Sequence, residues 1–147
     1  MNTEQKAAST EKEAILAPYT LGSLELPNRV VMSPMTRGRT ESEERAPGVL
    51  EAEYYAQRAS AGLIVTGGTY ISPQSIGSIR VPGIYSDEQV EAWKRVTGAV
   101  HENDGRIFLQ IAHSGPISHP DLLGGEDRKS TRLNSSHSDL SRMPSSA

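Results

Sequence analysis

The sequence predicts an α/β protein whose strands pair in parallel. Three short apolar runs, at 29–34, 63–67 and 106–111, have the length and composition of strands that are buried on both faces. Two segments with helical spacing, 49–60 and 87–103, alternate with these runs. Strands that alternate with helices of this length form right-handed βαβ units. The pattern alone fits either a closed barrel or an open, doubly wound sheet.

Composition excludes several classes of function. The chain has 147 residues, a net charge of −3 and no cysteine, which suits one domain and excludes disulfides, thiolate metal sites and a cysteine nucleophile. The mild acidity offers no basic face for nucleic acid, and no apolar run is long enough to span a membrane. The N-terminus lacks the pattern of a secretory signal. These features predict a cytoplasmic protein with no nucleic-acid or membrane partner.

The N-terminal part predicts a lead-in, a hairpin and the first strand. Residues 1–17 are polar and predict a flexible segment. The stretch 18–29 alternates around Gly22-Ser23, which is typical of a small β-hairpin. The strand at 29–34 follows and ends in a proline, Pro34.

The middle of the chain carries clear boundary signals. Ala61-Gly62 predicts the end of the first helix, and Gly67-Gly68 predicts the end of the second strand. A loop is expected over 70–85. Ser86 and Gln89 form a capping box at the start of the second helix. That helix has apolar or small residues at helical spacing: Val90, Trp93, Val96, Thr97 and Val100. No Gly-x-Gly-x-x-Gly motif follows the first strand, which disfavours a dinucleotide-binding Rossmann unit.

The last segment, 126–147, differs from the rest. It is rich in serine and charge and has no apolar period, so composition predicts a disordered tail. The string DRKSTRLNSSH resembles a common sequencing adapter translated in one frame, and SRMPSSA resembles the far end of the same adapter. The order of the two blocks favours a foreign segment, with the authentic sequence ending near Gly125 or Glu126.

The chain resembles the Old Yellow Enzyme family. The resemblance rests on the blocks LGSLELPNRVVMSPMTRGR, EYYAQRASAGLIVTGGTYIS and PGIYSDEQVEAWKRVTGAVHENDGRIFLQIAHSG and on their spacing. It covers about Tyr19 to Gly125. It implies an incomplete (β/α)8 TIM barrel over 18–125, with the first three β strands and two α helices preceded by the hairpin. In such barrels the ligand site lies at the carboxyl ends of the strands.

The resemblance also implies a non-covalently bound FMN and the residues that hold it. Thr36 corresponds to the hydroxyl donor to the flavin C4 carbonyl, and Gln110 to the amide that binds the pyrimidine edge. Pro34 and Met35 correspond to backbone and packing contacts with the ring, and Gly68 to a small residue that lets backbone amides approach it. Without the family context, Thr36 would be a strand-end turn residue and Gln110 a solvent-facing side chain.

Some positions depart from the family pattern. Ala112 stands where many relatives have tryptophan, Pro116 where they have arginine, and Ser78 where an aromatic residue is common. These departures leave flavin binding intact and put the substrate preference in doubt. His113 is expected to be structural. No histidine pair has metal-ligand spacing with a third partner, so no metal is predicted.

Taken with the family, the sequence predicts a fragment of an FMN-dependent oxidoreductase. NADPH or NADH would be the reductant, and the parent enzyme would reduce the C=C bond of an activated alkene, an α,β-unsaturated carbonyl compound. No catalytic residue is expected within this chain, because the family's substrate anchors and proton donor follow the third strand. Two alternatives stay open: a truncated chimeric product with no activity of its own, and a fragment of a dienoyl-CoA reductase-type flavin enzyme. Thr36 disfavours the second, because a related branch has cysteine at that position.

Overall fold

A computed structural model describes residues 13–123 of the chain. The predicted tail at 126–147 and most of the predicted lead-in lie outside these residues. Residues 13–16 of the lead-in are helical, and the backbone N–H of Arg29 donates to the Ile15 carbonyl at 2.9 Å. Within residues 13–123, no helix is both long enough and apolar enough to cross a membrane.

The predicted hairpin is present. Strands β1 (Tyr19–Leu21) and β2 (Leu24–Leu26) pair antiparallel around Gly22-Ser23. Gly22 has a φ of +63°, which a residue with a side chain adopts only with strain. This requirement explains the glycine at the turn.

A three-stranded parallel sheet forms the centre of the fold, as predicted. Its strands are β3 (Val31–Met32), β4 (Leu63–Tyr70) and β5 (Ile107–Ala112), in the order β3-β4-β5. Both pairings are parallel. Strand β3 is shorter than the predicted 29–34, and Pro34 cannot donate a hydrogen bond to extend the ladder.

Strand β4 is longer than the sequence predicted. Gly67 and Gly68 do not end it, because Thr69 and Tyr70 continue the pairing with β5. The register shifts between Val65 and Gly68. The two glycines therefore mark an irregularity inside the strand, which is a common position for glycine.

Two helices cover one face of the sheet. Helix α1 spans Val49–Ala56 and is shorter than the predicted 49–60, since residues 57–60 continue as turns. Helix α2 spans Asp87–His101 and begins with the predicted capping box. The Gln89 N–H donates to Ser86 Oγ at 3.3 Å, and Gln89 Oε1 accepts from the Ser86 N–H at 3.2 Å. Short 3₁₀ turns lie in the connecting loops, at Pro73–Ser75, Gly115–Ile117 and Pro120–Leu123.

The main core lies between the helices and the sheet. Its buried members come from α1 and the turn after it, from β4 and from α2: Tyr55, Ala59, Ile64, Trp93, Val96 and Val100. The predicted stripe on α2 is thus largely the buried face, although Val90 is 36% exposed. Trp93 Nε1 donates to the Gly83 carbonyl at 3.0 Å, which ties the long loop to this core. The opposite face of the sheet is open, and Phe108 on it is 52% exposed.

Candidate functional site

Three of the five predicted site residues meet at the carboxyl ends of the strands. Thr36 follows β3, Gly68 lies in the last part of β4, and Gln110 pairs with Gly68 across β5. A Cβ built on Gly68 would lie 3.5 Å from Thr36 Oγ1 and 3.9 Å from Gln110 Oε1. Both polar side chains therefore surround one small, open position.

The Thr36 hydroxyl is held by one hydrogen bond. Its oxygen accepts from the backbone N–H of Gly68 at 3.2 Å, and the residue is exposed. A hydroxyl has one hydrogen and two lone pairs. The Thr36 hydroxyl therefore keeps its hydrogen and one lone pair for a further partner.

Gly68 keeps the place beside Thr36 and Gln110 free of a side chain. Its own position is buried, and a Cβ there would come within 3.3 Å of the Ala112 side chain. The Thr36 hydroxyl and the Gln110 amide on either side of it offer the kinds of hydrogen-bond donor and acceptor that a flavin edge needs.

Gln110 has a fixed backbone and an exposed side chain. Its N–H donates to Thr66 Oγ1 at 3.0 Å, although residue 110 as a whole is exposed. The amide group carries both a donor and an acceptor. The backbone anchor therefore holds the start of the side chain while its amide faces the site.

Met35 borders the same site, and Pro34 precedes it in the chain. Both are exposed in the segment that joins β3 to Thr36. The Met35 carbonyl lies 2.8 Å from the position that a Cβ on Gly67 would take, so this segment packs directly against β4. The flavin contacts of Pro34, Met35, Thr36, Gly68 and Gln110 stay a prediction.

Two residues that the sequence analysis did not predict support the site through hydrogen bonds to its backbone. The hydroxyl of Tyr55, on α1, accepts the N–H of Gly67 at 3.0 Å. Burial raises the pKa of Tyr55 above its ordinary value, and the hydrogen bond from Gly67 offsets only part of this effect. Thr66 bridges β4 and β5 through its hydroxyl. Neither role has a local sequence signal, because both depend on contacts between distant segments.

A cleft continues from the site toward α1. Thr36, Tyr55, Gly67 and Trp93 are among its lining residues. The Arg37 guanidinium lies 5.3 Å from the centroid of the Tyr54 ring, at the same cleft. The lining of the cleft therefore combines arginine, glutamate and aromatic side chains.

A second cluster joins the loops that follow β4 and β5. Ser114 Oγ donates to the hydroxyl of the buried Tyr70 at 3.4 Å. Burial raises the pKa of Tyr70, but hydrogen bonds from Ser114, Gly77 and Ser78 outweigh it and hold the pKa below its ordinary value. Ser78, one of the departures from the family pattern, is thus a partner of Tyr70.

The histidines of residues 13–123 lie in structural or exposed positions. His113 Nδ1 accepts the N–H of Gly115 at 3.0 Å, and His119 lies 3.4 Å from Asp121 on the surface. His101 is exposed in the last turn of α2. In this part of the chain, no three histidine or carboxylate side chains are grouped as metal ligands.

Comparison with known proteins identifies the family. The sequence profile of the NADH:flavin oxidoreductase / NADH oxidase family matches residues 14–145. The chain is 43% identical over 118 residues to 12-oxophytodienoate reductase 1 of Oryza sativa subsp. japonica, covering 80% of this chain and 30% of that protein. It is 42% identical over 114 residues to a chanoclavine-I aldehyde reductase of Penicillium roqueforti, covering 76% of this chain and 31% of that protein.

Solved structures agree. Morphinone reductase in complex with tetrahydroNAD superimposes with a TM-score of 0.74 at 48% identity, over 78% of this chain and 31% of that one. The Old Yellow Enzyme homologue from Zymomonas mobilis gives a TM-score of 0.72 at 44% identity, over 76% of this chain and 31% of that one. The three parallel strands are therefore part of a (β/α)8 barrel, and the chain spans about 30% of the length of these relatives. The chain belongs to the NADH:flavin oxidoreductase / NADH oxidase family, the Old Yellow Enzyme family.

Proposed function

We propose that residues 18–125 form part of the FMN site of a cytoplasmic, FMN-dependent NAD(P)H oxidoreductase. The full-length protein would take NADPH, or NADH, as reductant and reduce the C=C bond of α,β-unsaturated carbonyl compounds. The observation that carries this proposal is that the Thr36 hydroxyl and the Gln110 amide both lie beside Gly68. Membership of the family supports the choice of FMN as the occupant.

The residues of this chain would bind and orient the cofactor. FMN, when bound, supplies hydride transfer between the reductant and the alkene. The Thr36 hydroxyl and the Gln110 amide would hold the ring edge and stabilise negative charge that builds up on it. Met35 and the backbone around Gly68 would pack against the ring. Substrate binding and proton donation are assigned to parts of the protein outside this chain.

The test uses the full-length protein that carries this segment. We expect it to purify with one FMN per chain, to oxidise NADPH, and to reduce a simple enone such as 2-cyclohexenone. NADH, supplied in parallel, identifies the preferred reductant. A protein without flavin would contradict the proposal. A protein that holds an iron–sulfur cluster and reduces a dienoyl-CoA would instead belong to the dienoyl-CoA reductase type.

We further propose that the segment 126–147 is foreign to this enzyme. The proposal rests on its two adapter-like blocks, because the segment lies outside the described residues. The family profile matches as far as residue 145, and this overlap counts against the proposal. Genomic DNA across codons 100–147 decides the question. We expect codons 100–125 to be found unchanged and the reading frame to continue differently after codon 126. A genomic match through codon 147 would contradict the proposal.

A further inference from the structure

The pairing between β4 and β5 contains a bulge beside the cofactor site. Val65 pairs with Phe108, and the next pair joins Gly68 to Gln110. Strand β4 therefore advances three residues while β5 advances two, and β4 carries one extra residue. Such bulges leave a ladder hydrogen bond unmade and re-aim neighbouring side chains.

The Thr66 side chain replaces the missing ladder bond. The Gln110 N–H donates to Thr66 Oγ1 at 3.0 Å, and the Thr66 hydroxyl donates to the Gly67 carbonyl at 3.0 Å. Thr66 is only 1% exposed, so its hydroxyl makes both bonds inside the protein. Without it, the Gln110 N–H loses the acceptor that stands in for a ladder bond.

The same hydroxyl therefore links the two halves of the site. On one side it fixes the backbone of Gln110. On the other it fixes the peptide before Gly68, whose N–H donates to Thr36 at 3.2 Å. We propose that Thr66 is a positioning residue, whose buried hydroxyl sets the distance between Gln110 and the Thr36–Gly68 pair around the flavin. This inference rests on the proposed FMN site.

A pair of buried threonines allows a matched test in the full-length flavoprotein. Thr66→Val removes the hydroxyl and keeps the side-chain shape. Thr69→Val is the control, because Thr69 is 0% exposed and its hydroxyl reaches the same Gly67 carbonyl, at 3.3 Å, without contacting Gln110. Thr66→Ser keeps the hydroxyl. The readouts are the FMN dissociation constant, the two-electron reduction potential and the thermal unfolding temperature of the apoprotein.

We expect both valine variants to unfold at lower temperature. Thr66→Val should raise the FMN dissociation constant about tenfold, which corresponds to the loss of about one hydrogen bond. It should also shift the reduction potential. Thr66→Ser should restore both values, and Thr69→Val, which keeps the bond to Gln110, should change both less than Thr66→Val does. If Thr66→Val does not fold, Thr66→Cys replaces it, since a thiol is a weak acceptor; its dissociation constant should lie above that of Thr66→Ser.

Two results would overturn the inference while leaving the proposed function in place. One is wild-type FMN affinity and potential in Thr66→Val, or in its cysteine substitute. The other is an equal loss of affinity in Thr69→Val, which would show a general effect of removing a buried hydroxyl. A wild-type protein that holds no FMN would instead overturn the proposed function, and this inference with it.

Discussion

Thr36 is exposed, yet its hydroxyl is not an ordinary surface group. Its oxygen accepts the Gly68 N–H and keeps its hydrogen for another partner. The sequence could place Thr36 at a strand end, and the family resemblance could assign it to the flavin. Neither could show that a backbone amide from the neighbouring strand holds this hydroxyl.

Replacing Thr36 by alanine in the full-length protein should lower the flavin reduction potential and leave FMN bound. The contacts proposed for Gly68 and Gln110 would remain, while the reduced, negatively charged ring would lose one proposed donor. A hydrogen bond to a charged group contributes about 1.5–3 kcal/mol. Since about 1.4 kcal/mol corresponds to about 30 mV for a two-electron couple, the potential should fall by about 30–60 mV.

A redox titration with stopped-flow kinetics checks this prediction. NADPH oxidation should slow, and alkene reduction should hold or quicken. Thr36→Ser, which keeps the hydroxyl, serves as the control and should retain the wild-type potential. An unchanged potential in Thr36→Ala, with both half-reactions unchanged, would reduce Thr36 to a turn residue.

The pKa values of the two buried tyrosines, Tyr55 and Tyr70, lie on opposite sides of the ordinary value of 10.0. Tyr70 has a lowered pKa, so its contribution to the free energy of unfolding is present above pH 10 and is lost as pH falls through its folded pKa. Tyr55 has a raised pKa, so its contribution is present below pH 10 and is lost as pH rises through its folded pKa.

Absorbance of tyrosinate in the full-length protein, followed against pH, measures both effects. Tyr70→Phe should remove an ionisation that occurs below pH 10, and Tyr55→Phe should remove one that occurs above pH 10. If Tyr70→Phe instead removed an ionisation at the ordinary pKa of tyrosine, the lowered pKa of Tyr70 would be contradicted.

At the scale of elements, local signals were reliable where the interaction is local. The capping box of Ser86 and Gln89 lies within four residues of sequence, and the structure contains it. Gln89 also donates to the Glu44 carbonyl at 2.7 Å, across 45 residues, and no local pattern predicts that bond. The pair Gly67-Gly68 was also ambiguous in the sequence, because glycines are typical both of strand ends and of bulges.

Two glycines differ in the space around the position of a Cβ, which predicts opposite effects when each is replaced by alanine. A Cβ on Gly67 would lie 2.8 Å from the Met35 carbonyl and 3.0 Å from the Thr36 Cα, so Gly67→Ala must displace backbone. It should cost about 1–3 kcal/mol and weaken FMN binding. For Gly98, inside α2, no atom beyond its chain neighbours and the adjacent helix backbone lies within 4 Å of the position that a Cβ would take. Gly98→Ala should stabilise by about 0.5–1 kcal/mol and leave FMN binding unchanged.

Urea unfolding and FMN titration of both full-length variants test this pair. Gly98→Ala controls for the effect of adding a methyl group to any glycine. If Gly67→Ala kept wild-type stability and FMN affinity, the contact between β4 and the segment at Met35-Thr36 would not be tight.

At the scale of the whole molecule, the order of strands and helices along the chain predicted the parallel sheet, but the pattern did not choose between a barrel and an open sheet. Three strands show the same local geometry in either fold, so closure depends on strands outside this chain. The barrel assignment came from the family resemblance and was confirmed by the solved relatives. The open face of the sheet, with Phe108 half exposed, is what an incomplete barrel leaves uncovered.

The 147-residue chain expressed alone should therefore neither hold FMN tightly nor persist as a stable monomer. Among the described strands, β3 and β5 each pair only with β4, which leaves two open edges that favour association with other chains. Val31 and Phe108 expose about half of their surface, at 51% and 52%. Size-exclusion chromatography with light scattering gives the oligomeric state, and the visible absorbance of flavin gives the bound cofactor, with the full-length protein as control. A yellow, soluble monomer of the short chain would show that three strands and two helices bury enough apolar surface to fold, and that the contacts at Thr36, Gly68 and Gln110 alone retain FMN.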